Sequence, residues 1–221
     1  MDSSWLFNLG ADIYGWFTAQ AAWRASCAQM AKRLDGVAGQ PACIADLGCG
    51  PGVSTFELAR YLPTVQFIGL DVAPRMLNEA RRRRRAADVA SARITWLQAD
   101  AARLAIKSAS LDACTGHSFL YLVADRRAVL SEIRRVLKPG GRLVLMEPNE
   151  RAATVAQTLG VSRDPRHLVS VSLWRPFSRL HGRFTPASLS STLERAGFVN
   201  CRTEETLGGL GLLASGVAPG S

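Results

Sequence analysis

The residues best suited to chemistry are grouped early in the chain, at Asp46-Leu47-Gly48-Cys49-Gly50-Pro51-Gly52. The run closes a short apolar stretch, Ala42–Leu47, that reads as a strand, and it precedes Val53–Leu62, which reads as a helix. Glycines at such a junction let the backbone turn sharply and lie against a ligand, because no Cβ intervenes. A ligand held there meets the carboxyl end of the strand and the first N–H groups of the helix, where open α/β sheets usually bind. The spacing is GxGxG rather than the GxGxxG that wraps a pyrophosphate, and a carboxylate, Asp46, precedes it. That combination suits a ligand without phosphates whose ammonium donates to Asp46.

Two more carboxylates follow in order. Val65–Leu70 reads as a second strand and leads to Asp71, about 20 residues beyond the middle glycine, where a carboxylate accepts from ribose hydroxyls. Arg93–Gln98 reads as a third strand and leads to Asp100 and Ala101, placed to take the exocyclic amine of an adenine. Val72 and Met76 would flank the base, while Cys49 in the loop and Thr115 at the end of a fourth strand complete the cofactor-facing set. One such Asp alone is usually a turn or cap residue. In this order, with a glycine loop, they describe a nucleoside that carries an amino-acid group. S-adenosylmethionine (SAM) is such a molecule.

The elements that must position these groups alternate along the chain. Residues 1–35 read as helical, with Trp5, Leu9, Ile13, Trp16, Phe17 and Trp23 as an apolar stripe, before Gly36–Pro41 breaks the pattern. Pro74–Ala87 reads as a helix with proline at its first position, and Leu111–Thr115 as a strand. Asp125 is the expected N-cap of a helix ending at Leu137, stopped by Lys138-Pro139-Gly140-Gly141, and Arg142–Met146 is a fifth strand. Residues 160–184 have weak periodicity and read as an insertion over the carboxyl edge of the sheet. Thr185-Pro186 opens a helix to Arg195, and Phe198–Glu205 and Leu207–Ala218 read as a closing hairpin. This β–α alternation predicts a parallel sheet covered on both faces. One domain over 1–221 is expected, with a cap (1–40), a cofactor-binding core (41–150), the insertion (160–184) and a closing helix and hairpin (185–221).

From Ala42 to Pro148 the chain resembles the class I SAM-dependent methyltransferases. Asp46–Gly52 matches their glycine motif, and Asp71-Val72-Ala73-Pro74-Arg75-Met76-Leu77 is similar to their second motif. Gln98-Ala99-Asp100-Ala101 is similar to the third, and Val136-Leu137-Lys138-Pro139-Gly140-Gly141-Arg142-Leu143 resembles the turn into their fifth strand. The resemblance implies an α/β, Rossmann-like three-layer sandwich with a mostly parallel seven-stranded sheet, an antiparallel last strand and an N-terminal helical lid. It also implies that SAM is the cofactor and S-adenosylhomocysteine the product. Tyr14 is the candidate lid aromatic, and Arg24 a partner for the SAM carboxylate.

Acceptor-facing residues of the family follow strand four, here Thr115-Gly116-His117-Ser118-Phe119-Leu120-Tyr121. His117 is therefore the candidate base or acceptor-orienting group, since imidazole titrates near neutrality. Tyr121, His167, Trp174 and His181 are candidate pocket residues. Strand four lacks the Asn/Asp-Pro-Pro-Tyr/Phe ending of many amino-group methyltransferases, and strand five ends Met146-Glu147-Pro148-Asn149, as in small-molecule and quinone-type members. The expected reaction is methyl transfer to oxygen, nitrogen or activated carbon of a small metabolite.

Charge raises alternatives. Lys and Arg number 27 against 18 Asp and Glu, a net charge of +9, and Arg81–Arg85 is a continuous run. The run reads as the basic end of a helix. The competing reading is a phosphate track of an RNA methyltransferase. A SAM-binding module without turnover, and a peripheral contact with anionic membrane, are further readings. The five scattered cysteines (Cys27, Cys43, Cys49, Cys114, Cys201) have no zinc-like spacing, so no metal is expected. With no signal-peptide pattern and no apolar span, a cytoplasmic location is expected.

Overall fold

In the computed structural model of the protein, the described residues are 21–37, 41–84, 93–151, 160–162 and 164–220. Seven strands form one sheet: β1 Cys43–Leu47, β2 Gln66–Asp71, β3 Ile94–Gln98, β4 Leu111–His117, β5 Leu137–Pro148, β6 Val199–Thr206 and β7 Gly211–Val217. Among the described residues six α-helices accompany them: α1 Ala21–Lys32, α2 Val53–Tyr61, α3 Pro74–Arg84, α4 Arg126–Val136, α5 Pro165–His181 and α6 Pro186–Arg195. The strand order is β3-β2-β1-β4-β5-β7-β6. β1, β2, β3, β4 and β5 pair in parallel, and β7 runs antiparallel to both of its neighbours. The expected mostly parallel sheet with one reversed strand at the end of the chain is what forms.

Alternation along the strands builds two cores, because successive side chains point to opposite faces. Ala45, Leu47, Cys114, Leu143, Leu145, Leu212 and Ala214 face one side, where Leu130 and Ile133 of α4 and Leu189 and Leu193 of α6 pack on them. Ile44, Phe67, Trp96, Ala113, Val144, Met146 and Leu213 face the other, under α1, α2 and α3. Met30, Ala31 and Leu34 place the described part of the N-terminal cap in this second core. It is therefore a packed layer helix. Tyr14 and the stripe from Trp5 to Phe17 lie outside the described residues, as does Arg85.

Caps act where the sequence places them. Asp125 accepts from the Ala128 N–H at 2.9 Å to start α4, and Thr185 and Ser188 form a reciprocal capping box on α6. Strand five differs from expectation. β5 begins at Leu137, pairing with Leu111, and Lys138–Gly141 is an irregularity within it, where Gly140 has φ 77°.

Residues 160–184, read from the sequence only as an insertion, for the most part form the 17-residue helix α5 with Pro176 inside it. Among its described side chains, His167 and Ser178 are buried while Val169 and Leu180 are exposed, a pattern that an amphipathic template does not find. No described helix is long and apolar enough to cross a membrane. All five cysteines are free.

On the α1–α3 face, Trp96 lies against two glycines. A Cβ on Gly69 would come within 2.4 Å of the indole, and one on Gly52 within 2.6 Å. Gly69→Ala should cost about 1–3 kcal/mol in urea unfolding through overpacking. Adding Trp96→Leu should recover part of that loss. Strictly additive losses would disprove the contact.

Candidate active site

The site grows from the carboxyl ends of β1, β2, β3 and β4. After β1 the chain passes through Gly48, Gly50 and Gly52 at φ 60°, 53° and 81°, a left-handed conformation that side chains resist. Gly52 then caps α2 without any side-chain bond. Two neighbours hold this loop. The Gly50 N–H donates to Asp71 Oδ2 at 2.8 Å, and the Cys49 N–H to the Leu70 carbonyl at 2.9 Å. A Cβ on Gly48 would sit 2.5 Å from the Phe119 ring, so that glycine lets the turn after β4 close against the loop.

Asp71 also accepts from the Ala73 N–H at 2.8 Å. A carboxylate has about four acceptor positions, so capacity remains for a further donor. Burial and the charge of Asp46 push its carboxyl up, and the amides of Ala73, Gly50 and Val72 pull it back. Beside it, Val72 is 55% exposed, Met76 is buried, and Gln98 Nε2 donates to the Val72 carbonyl at 3.2 Å. Asp100 is exposed at the end of β3, bonded at 2.9 Å to the Ala102 N–H, with Ala101 half-buried. Acceptor positions, an open apolar shelf and exposed carboxylate oxygen thus lie on one edge, as a nucleoside requires.

Asp46 has a different setting from the one its spacing suggests. It is fully buried, and its two oxygens accept from Thr55 Oγ1 at 2.6 Å, Ser54 Oγ at 2.7 Å and Thr115 Oγ1 at 2.8 Å. Burial raises its pKa, and the hydroxyl donors lower it. The geometry here is that of a brace joining β1, α2 and β4. Thr115 likewise bonds to Asp46. Cys49 is buried, and its thiol is pushed well up, first by burial and then by the charges of Asp71 and Asp46.

His117 follows the alternation of β4, so it faces α1. Its ring stacks on Trp23 at 3.8 Å, and its Nε2 lies 2.6 Å from Ser26 Oγ. Among the described residues neither His117 Nδ1 nor Trp23 Nε1 has a hydrogen-bond partner. Burial drives the His117 pKa down to about 3, so the ring is neutral at physiological pH. Arg24 pairs with Glu57 at 3.5 Å.

Tyr121 is buried and meets His181 edge-on at 6.5 Å. His167 is buried near the start of α5, with Nε2 unpartnered among the described residues. Trp174 is a residue of the same helix, and its side chain lies outside the described ones. Glu147 is a residue that motif spacing did not single out. It is buried on the opposite face of the sheet from His117 and accepts from the N–H groups of Leu120 at 2.7 Å, Phe119 at 3.1 Å and Tyr121 at 3.2 Å. It holds the turn after β4, in which Ser118 takes φ 53°. Burial drives its pKa up to about 7. The available signal was an acidic residue ending an otherwise apolar strand.

Residues 44–141 match the family model described as a methyltransferase domain. The chain is 35% identical over 142 residues to a demethylmenaquinone methyltransferase of Deinococcus radiodurans, covering 64% of this chain and 52% of that protein. The chain spans about half, or less, of the length of the curated relatives it matches first. Among solved structures, a phosphoethanolamine N-methyltransferase of Haemonchus contortus in complex with SAM has a TM-score of 0.69 at 17% identity, covering 96% of this chain and 57% of that one. A SAM-dependent methyltransferase from Aquifex aeolicus has a TM-score of 0.64 at 15% identity, covering 86% and 89%. The fold is shared with these solved methyltransferases, and the glycine loop lies within the residues that match the methyltransferase-domain model.

Asp71→Ala removes the Gly50 tether and the carboxylate expected to accept from a ribose. In a variant with native circular dichroism, S-adenosylhomocysteine affinity should fall by about 1–3 kcal/mol in calorimetry. Unchanged affinity would displace the ribose from this carboxylate.

The two buried titrating groups act in opposite senses on stability. The His117 pKa is depressed, so its contribution is present above 6.5 and is lost as pH falls towards 3. The Glu147 pKa is raised, so its contribution is present below 4.5 and is lost as pH rises through about 7. From pH 7.5 to pH 5, the stability of wild type relative to His117→Phe should therefore drop by about 2 kcal/mol. Relative to Glu147→Gln it should rise by a similar amount, about 2 kcal/mol, over the same range. Denaturant titrations at the two pH values check both signs.

Proposed function

We propose that the chain transfers the methyl group of SAM to oxygen, nitrogen or activated carbon of a small metabolite. The observation that carries this reading is the edge on which Asp71 pins the glycine loop while Asp100 and the exposed Val72 stand beside it. Asp71 and Asp100 would hold ribose and adenine, and the loop around Gly48–Gly50 the methionine end. Bound SAM supplies an electrophilic methyl, so the protein has mainly to align an acceptor and exclude water.

The acceptor side is roofed rather than open. Trp23 and Ser26 cover His117, and the turn carrying Phe119, Leu120 and Tyr121 is buried. A roof of this kind favours a small acceptor over a polymer. A neutral, dry His117 orients an acceptor better than it removes a proton from one, since a base works best with a pKa near the operating pH. Relatives named for demethylmenaquinone and phosphoethanolamine support a small acceptor by analogy.

The RNA reading has less support. Arg82 and Arg83 lie near Glu79, at 3.5 and 2.9 Å, and Arg81 donates to Asn78 at 3.0 Å, so the described part of the run is engaged along its own helix. With a metabolite library, the protein should convert SAM to S-adenosylhomocysteine in the presence of a small compound. Binding of SAM without turnover on any compound would favour a sensing module. RNA affinity that falls steeply with salt would favour the nucleic-acid reading.

A further inference from the structure

Beyond β5 lies a group of cations that the cofactor edge leaves unexplained. Arg175 and Arg179 are one turn apart on α5, Arg183 follows that helix, and Arg151 follows β5. Arg175 and Arg183 donate to backbone and hydroxyl oxygens, and of the four only Arg151 pairs with an acid among the described residues. Arg175 Nη2 donates to the Arg151 carbonyl at 2.8 Å, and Arg183 Nη2 donates to the Arg175 carbonyl. Arg183 Nε donates to Ser178 Oγ at 2.9 Å, and that hydroxyl donates to the Arg175 carbonyl at 3.1 Å.

The nearby carboxylates leave this group short of negative charge. Glu205 is taken by Arg151 at 3.1 Å, and Glu150, beside Arg183, makes no ion pair with it among the described residues. Arg175 Nη1 is shut off from water and has no acceptor among the described residues. Burial lowers the pKa of both Arg175 and Arg183, and the charges of Arg175 and Arg179 lower that of Arg183 further. A guanidinium N–H hidden from water without an acceptor is costly, which marks a place that an anion completes.

The group belongs to the acceptor side. Phe184, next to Arg183, bridges to Asn149 at the end of β5, and its N–H donates to the Pro148 carbonyl at 3.2 Å. His181 of α5 meets Tyr121 of the turn after β4. We propose that Arg175 and Arg183 bind a carboxylate group of the methyl acceptor, with Arg151 and Arg179 adding to the attracting field, so that the acceptor is a carboxylic acid. A planar fork of N–H donors matches a carboxylate in two parallel bonds. This deepens the small-molecule reading above and rests on it.

The test uses the full chain at fixed ionic strength, titrated calorimetrically with succinate, tricarballylate, inorganic phosphate and neutral succinamide, with and without S-adenosylhomocysteine. A carboxylate should bind, succinamide should not, and Arg175→Gln and Arg183→Gln should each weaken the carboxylate at least tenfold. S-adenosylhomocysteine affinity measured on the same variants reports an intact fold. Equal carboxylate binding by variants and wild type, no carboxylate binding, or tighter binding of phosphate overturns the proposal. If wild type ignores S-adenosylhomocysteine, the methyltransferase reading fails, while the carboxylate titration still decides the anion site.

Discussion

A carboxylate without access to water organises this protein. Asp46 sits near the carboxyl end of β1 and gathers three hydroxyls, from the first turn of α2 and from β4. A buried carboxylate is tolerated only when its lone pairs are satisfied, so its partners cannot drift without a large penalty. The junction between β1 and α2, and the spacing of β1 from β4, are thereby fixed together. The glycine loop starts from that fixed point, and everything on the carboxyl edge takes its position from it.

A second buried carboxylate repeats the device on the other face. Glu147 ties three amide donors of the turn after β4 to the end of β5. Asp46 and Glu147 thus hold the loop after β1 and the turn after β4 by side chain to hydroxyl and side chain to backbone bonds respectively. Phe119 lies between them, its N–H on Glu147 and its ring against Gly48. A shift of either support is felt by both halves.

Much of the scaffold was legible because strand alternation and glycine spacing are local signals. Asp71 was placed correctly at the tip of β2 by its distance from the loop, and β7 reversed as the resemblance implied. Asp46 was harder. Its type and position were evident, yet only the fold reveals that Ser54, Thr55 and Thr115 converge on it from separate elements. The helix α5 was not legible, since it buries Ser178 and His167 and exposes Leu180. The setting of His117 depends on contacts with Trp23 and Ser26, some ninety residues away in sequence, which no window of sequence contains.

The reversed strand has a consequence for how the chain assembles during synthesis. β7 is inserted between β5 and β6, although both are made before it. Until Gly211–Val217 has emerged from the ribosome, β5 carries an open row of amides and carbonyls, and β6 has no partner strand. Leu212 and Ala214, wholly buried in the finished sheet, complete a layer whose other members have been waiting. The nascent chain therefore passes through an interval in which the open edge of β5 and the unpaired β6 are ready templates for another strand, which favours rapid closure or a chaperone's cover.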